Sequence, residues 1–202
     1  GLESVEKCSN EEERNHFLHL MSEETVHMKR LIDDMLLLAN SDADTLTIKP
    51  EACQPDLLLL DTYEKFEPLA KKNGIHLILT LPEEILPDCF CDIHRTEQIF
   101  SIIVDNALCY TPSCGKVTLS CHAENEMLCF LFKDTGCGIS EEKKSHIFER
   151  FYRADDAHTD REHFGLGLCI AKELTEKQNG NIQVVDAPIS GSCFMVQLPC
   201  AL

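Results

Sequence analysis

"KDTGCGIS", residues 133–140, closes the apolar run "EMLCFLFK" (126–133) on one carboxylate, Asp134, and then places two glycines, Gly136 and Gly138, directly behind it. A run of that composition reads as a buried strand. Ending it on an acid and stripping the next residues of side chains has two explanations. One is a turn, for which glycine is the usual residue. The other is a pocket in which bare backbone lies against a ligand and Asp134 accepts a hydrogen bond from it. D-x-G-x-G alone is a weak motif, and the choice rests on what surrounds it.

Around that stretch the chain alternates strand and helix patterns. "LTIKP" (46–50) reads as a short strand ended by Pro50. Pro55 suits a first helical turn, and Gly74 closes that helix. Strands are expected at 75–81 and 88–92, a helix from Ile93 to Leu108, and a hairpin from 116–123 and 126–133. Ser140 and the acids behind it predict a helix over 140–152. A further helix over 166–178 closes at Asn179 and Gly180, and a last hairpin follows. This pattern predicts an α/β (α+β) sandwich, with about three helices on one face of a mixed, largely antiparallel sheet.

Ahead of the sandwich, residues 11–40 read as one long coiled-coil-like helix. Met21, Met28 and Met35 step by seven, with Leu31 and Leu38 between them and Leu18, Ile32 and Ala39 alongside. Such a seam needs a second helix or a second copy. "SDAD" (41–44) reads as a hinge, which divides the chain into residues 1–44 and 45–202.

Composition limits the function. The 202 residues carry a net charge of −17, which disfavours nucleic acid or an anionic membrane surface as partner. No apolar run is long enough to span a bilayer, and the polar N-terminus lacks a signal-peptide pattern. The twelve cysteines are scattered through apolar stretches, which points to free thiols in a reducing, cytoplasmic compartment. The tightest pair is Cys89-Phe90-Cys91; C-x-C lacks the second ligand pair of a zinc site, so no metal is expected there.

Three further stretches are odd as pure structure. Asn106 falls in the apolar stripe Ile99, Ile102, Ile103, Ala107; a buried amide needs partners, either backbone or a hard cation at its carbonyl oxygen. Gly165 and Gly167 in "FGLGL" precede a helix, as in anion sites and in ordinary tight loops. "IFERFYRADDAHTDREH" (147–163) places Phe148 and Phe151 a turn apart for mutual packing and continues into a polar run that reads as a lid or a solvated linker.

In this order, "VDNALCYTP", "KDTGCGIS", "IFERFYRAD", "GLGLCIAKEL" and "SGSCFMVQLP" resemble the N, G1, F and G2 boxes and closing hairpin of the bacterial sensor histidine kinases, of the GHKL superfamily with its Bergerat-type ATPase sandwich. "HMKRLIDDMLLLANSD" resembles the second helix of that family's dimerisation and phosphotransfer domain. The resemblance implies an ATP-binding catalytic domain that transfers the γ-phosphoryl group to a histidine. It implies that Asn106 holds Mg²⁺ and that Asp134 accepts from the adenine amine, with Gly136, Gly138 and Ile139 shaping the base pocket. Tyr110 would line the nucleotide, and Gly165, Leu166, Gly167 and Leu168 would lie under the phosphates. Phe148 and Phe151 would dock the lid, and Arg153 would reach the γ-phosphate as the catalytic cation.

It further implies a homodimer through the N-terminal helix in the full-length protein. The partner would be a response regulator receiver domain, with no nucleic acid and no membrane contact in this stretch. The place would be cytoplasmic, as the cytosolic portion of a membrane-bound receptor. The chain departs from the pattern at Ile102, where the family has a polar residue, at Cys109, where it has Lys, and at Glu162, His163 and Phe164, where glycine and a small hydroxyl residue are usual. No histidine matches the phospho-acceptor: His16, His19 and His27 lie on the second helix, so the chain reads as a fragment that would not phosphorylate itself. Two alternatives remain: a degenerate module that binds nucleotide or a partner without transfer, and, less well matched, a gyrase-like ATPase.

Overall fold

The computed structural model describes residues 11–152, 164–185 and 191–201. Contacts divide the chain near residue 46 into two units. The first is a single helix, α1 (Glu11–Asp42), in which Leu18, Met28, Ile32 and Met35 are exposed. The expected seam is therefore exposed at these four positions in one copy of the chain, whereas Met21 and Leu31 are half-buried and Leu38 is buried. The helix ends as Thr45 N–H and Leu46 N–H both donate to the Asn40 carbonyl, at 2.9 and 3.2 Å.

The second unit comprises β1 (Glu51–Cys53), α2 (Pro55–Lys72), β2 (His76–Thr80), β3 (Cys89–Cys91), α3 (Ile93–Tyr110), β4 (Lys116–Glu124), β5 (Met127–Asp134), α4 (Glu141–Lys144), α5 (Gly167–Glu176), β6 (Asn181–Val185) and β7 (Cys193–Pro199). Five strands form one mixed sheet in the order β2-β4-β5-β7-β6, parallel between β2 and β4 and antiparallel elsewhere. β1 and β3 form a separate antiparallel pair. Helices α2, α3 and α5 pack against the five-stranded sheet, giving the expected sandwich.

Strand alternation builds the core. Leu128, Phe130 and Phe132 of β5 share one face, and their register partners Leu198, Val196 and Phe194 continue it on β7. Phe100 of α3 is fully buried, its ring 4.8 and 5.0 Å from those of Phe130 and Phe132. The same alternation carries Asp134, two residues past Phe132, onto the helix-facing side of the sheet.

A buried polar network ties the ends of the layer together. Asp92 caps α3, its carboxylate accepting from Arg95 N–H at 3.1 Å and from Lys49 N–H at 2.9 Å. Its own N–H donates to Gln178 Oε1 at 2.7 Å, and Gln178 Nε2 donates to the Leu174 carbonyl at 3.0 Å. Gln178→Ala strands the buried Asp92 N–H and is expected to cost about 1–3 kcal/mol. Urea denaturation measures this, and an unchanged midpoint would refute the role of the network.

Two segments differ from the sequence reading. The strand expected over 46–50 lies after Pro50 instead, because Lys49 N–H is committed to Asp92 rather than to a ladder. The helix expected over 140–152 is only the four residues of α4. Ser140 makes no side-chain cap, and Phe151 adopts φ +63°, which no helix accommodates. Phe148 and Phe151 therefore do not pack together: Phe148 meets Phe194 edge-on at 6.4 Å, and Phe151 is exposed.

Candidate nucleotide site

The end of β5 meets the start of β7 at Asp134. Its N–H donates to the Ser192 carbonyl at 2.9 Å, and its Oδ1 accepts from Gly136 N–H at 2.7 Å and Ser192 N–H at 3.1 Å. The residue is buried, 3 % exposed. Two glycines are required by this arrangement. A Cβ on Gly136 would stand 2.4 Å from the Tyr110 carbonyl oxygen and 2.9 Å from Asp134 Oδ1. A Cβ on Gly191, already at φ +85°, would stand 2.1 Å from the Asp134 carbonyl oxygen. Gly138 packs against Gly191 in turn. The result is a buried carboxylate walled by glycine backbone, with the Ser192 side chain also hydrogen-bonded to it. Ile139 beside it is half-buried.

Burial pushes the Asp134 carboxyl up from its ordinary 3.8, and hydrogen bonds from Gly136 and Ser192 oppose the rise. A carboxyl whose folded value is raised stabilises the fold below its unfolded value, and that contribution is lost as pH rises through the folded value. Relative to an Asp134→Asn variant, which does not titrate there, wild type should therefore lose stability as pH rises above 3.8 and then level off. Urea denaturation of both proteins across pH checks this; a pH-independent difference would refute it.

The other predicted residues lie on three neighbouring elements. Tyr110, at the end of α3, is exposed, and its carbonyl abuts Gly136. Asn106, one turn earlier, is half-buried rather than in the middle of the buried stripe, and its amide makes no hydrogen bond to any described residue. Ile102, one turn before that, is 9 % exposed, and its Cγ2 would lie 3.2 Å from a Cβ on Gly167. The apolar residue at this position thus packs against the start of α5. Leu166 is buried and Leu168 half-buried there. Gly165 (φ +72°) accepts from Phe151 N–H at 2.9 Å, which ties the start of α5 to the segment that follows α4. Arg153 itself lies outside the described residues.

The sequence reading passed over Gly191 and Ser192. The "SGS" before the last strand reads only as part of the closing hairpin, because a hydrogen bond to Asp134 across 58 positions has no local signature.

Residues 91–202 match the family described as histidine kinase-, DNA gyrase B- and HSP90-like ATPases, which is more than half of the chain. The chain belongs to this ATPase family. Its relatives within the family include the adaptive-response sensory kinase SasA of Rippkaea orientalis, 31 % identical over 92 % of this chain and 47 % of that protein. The sensor protein SrrB of Staphylococcus aureus is 32 % identical over 90 % of this chain and 31 % of that protein. The chain thus spans a third to a half of the length of these sensor kinases. Among solved structures, full-length ShkA in complex with AMPPNP superposes with a TM-score of 0.83 at 25 % identity, over 98 % of this chain and 41 % of that one. The Acinetobacter baumannii histidine kinase AdeS shares the fold, with a TM-score of 0.73 at 22 % identity over 92 % of this chain and 84 % of that one.

Proposed function

We propose that residues 45–202 are the ATP-binding catalytic domain of a sensor histidine kinase and that residues 1–44 are part of its dimerisation region. The observation that carries this reading is the buried Asp134 carboxylate, held by Gly136 and Ser192 N–H groups between glycine walls. Oδ1 takes both backbone donors, and the second carboxylate oxygen is the acceptor for the exocyclic amine of adenine. The flat ring lies against the bare backbone of Gly136 and Gly138, with Tyr110 and Ile139 at its edge.

Asn106 fits a role toward Mg²⁺: it is a half-buried amide without a described hydrogen-bond partner, and Mg²⁺ takes one or two protein oxygens and completes its shell with phosphate and water. Bound there, Mg²⁺ would neutralise charge on the nucleotide's phosphates. Gly165 and Gly167 let the backbone at the start of α5 approach the phosphates, aided by the helix dipole. Arg153 is the cation proposed to face the γ-phosphoryl group. The transfer breaks the bond between the γ-phosphorus and its bridging oxygen, forms a phosphorus–nitrogen bond to a histidine on a supplied dimerisation helix, and releases ADP. The exposed apolar face of α1 supports a homodimer in the full-length protein, which would act from the cytoplasmic side of a receptor on a response regulator receiver domain.

Calorimetry with a non-hydrolysable ATP analogue, with and without Mg²⁺, tests the site. Wild type is expected to bind, and Asn106→Ala is expected to lose the gain in affinity that Mg²⁺ confers. Equal Mg²⁺ dependence in both would remove Asn106 from the metal. Ile102 leaves the phosphate end more apolar than the adenine end, so transfer to an added acceptor helix is the second assay. Tight binding without transfer would favour a binding module.

A further inference from the structure

The C-x-C of β3 is completed by a residue 36 positions away. β1 pairs with β3 so that Cys53 stands opposite Cys89 and Glu51 opposite Cys91. Partners directly opposite on two strands project to the same face, and so do residues two apart on one strand. Cys53, Cys89 and Cys91 therefore converge. Their sulfurs all lie within 4.8 Å of one another, with Cys53 Sγ and Cys91 Sγ 3.4 Å apart. All three are free thiols. Cys89 and Cys91 are 0 % exposed, while Cys53 is half-buried and marks the side open to water.

We propose that Cys53, Cys89 and Cys91 form a thiolate site for a divalent thiophilic cation of the zinc class, completed by water on the Cys53 side. The spacing suits such an ion: zinc–sulfur bonds of about 2.3 Å in a tetrahedron set the sulfurs about 3.8 Å apart. Charge selects the valence. Three thiolates around a divalent ion leave one net negative charge in a buried place, whereas a monovalent ion would leave two, and burial penalises the second. Hard cations such as Mg²⁺ and Ca²⁺ prefer oxygen and are excluded by the donor set. Binding breaks three S–H bonds, forms three metal–sulfur bonds and releases three protons to the buffer, with no change of oxidation state.

The alternative, three small hydrophobes sharing a core, does not require their sulfurs to meet on one face of a ribbon. The ribbon also gains from a clamp. Two strands of three residues each are marginal by themselves. The ion would cross-link Cys53 to Cys89 and Cys91 just ahead of Asp92, which caps the helix carrying Asn106. Loading the site would thus stiffen the strand that leads into α3.

The test is cobalt titration of the whole chain in a non-chelating reductant. The expected result is a thiolate-to-cobalt charge-transfer band that saturates at one equivalent, bleaches on adding zinc, disappears in Cys53→Ser and persists in Cys114→Ser. Zinc should also raise the melting temperature of wild type and not that of Cys53→Ser. No band in wild type, or an unchanged band in Cys53→Ser, overturns the proposal. Should Cys53→Ser fail to fold, alkylation of wild type decides. Zinc must shield Cys53 from iodoacetamide, as read by peptide mass; equal labelling with and without zinc overturns it.

Discussion

Asp134→Asn is expected to lose adenine-nucleotide binding by about a hundredfold or more while the domain remains folded. A site built around one buried polar group rejects a ligand that cannot pair with it far more strongly than an apolar pocket rejects a missing methylene. In the variant, the amide oxygen still accepts from Gly136 N–H and Ser192 N–H, so the junction of β5 and β7 keeps its hydrogen bonds. The amide nitrogen then takes the place of the second oxygen. A donor faces the adenine amine, itself a donor, and two desolvated donors are left without an acceptor. Stability should hold or rise, since burial already opposes the charged form of Asp134. Calorimetry and thermal denaturation are to be read together. Retained affinity would remove Asp134 from the base pocket, whereas an unfolded variant would show that the carboxylate is chiefly structural.

Phe100→Ala is expected to cost about 3–5 kcal/mol of stability. The ring is fully buried and makes tilted contacts, at 54° and 56°, with both Phe130 and Phe132, on the central strand of the five-stranded sheet. The cavity would lie between α3 and β5, the two elements that carry Asn106 and Asp134. Against a typical domain stability of about 5–15 kcal/mol, the loss leaves a substantial unfolded population. The urea midpoint should fall with little change in slope. Because a ligand stabilises only the folded form, nucleotide at a concentration that saturates wild type should raise the melting temperature of Phe100→Ala and leave that of Asp134→Asn unchanged. A cost below about 1 kcal/mol would mean that the neighbouring rings close the gap.

The elements that local chemistry determines were legible. Pro55 at the first turn of α2 and Gly74 behind its last residue bound that helix where expected. The 116–133 hairpin closes at Asn125 and Glu126, both with positive φ. The order of the boxes identified the fold, and Asp134 stood out because an acid ends an otherwise apolar strand. The misreadings occur where a distant partner outweighs local preference. Residues 46–50 belong to no strand, and Lys49 N–H bonds to the Asp92 side chain instead. The run after Ser140 leaves the helix after one turn, and Phe148 packs against Phe194, 46 positions further along the chain.

What the sequence by itself determined is the alternation of apolar and polar residues, the turns, and the box order that marks the ATPase family. These depend on neighbours within a few positions, where propensity and periodicity act. What only the tertiary structure decided is which distant groups meet. Ser192 donates to Asp134, Ile102 fills the space beside Gly167, and Cys53 joins a C-x-C that looked incomplete. Strand register brings such groups together, and register is set by the packing of whole faces, which no short stretch of the chain encodes.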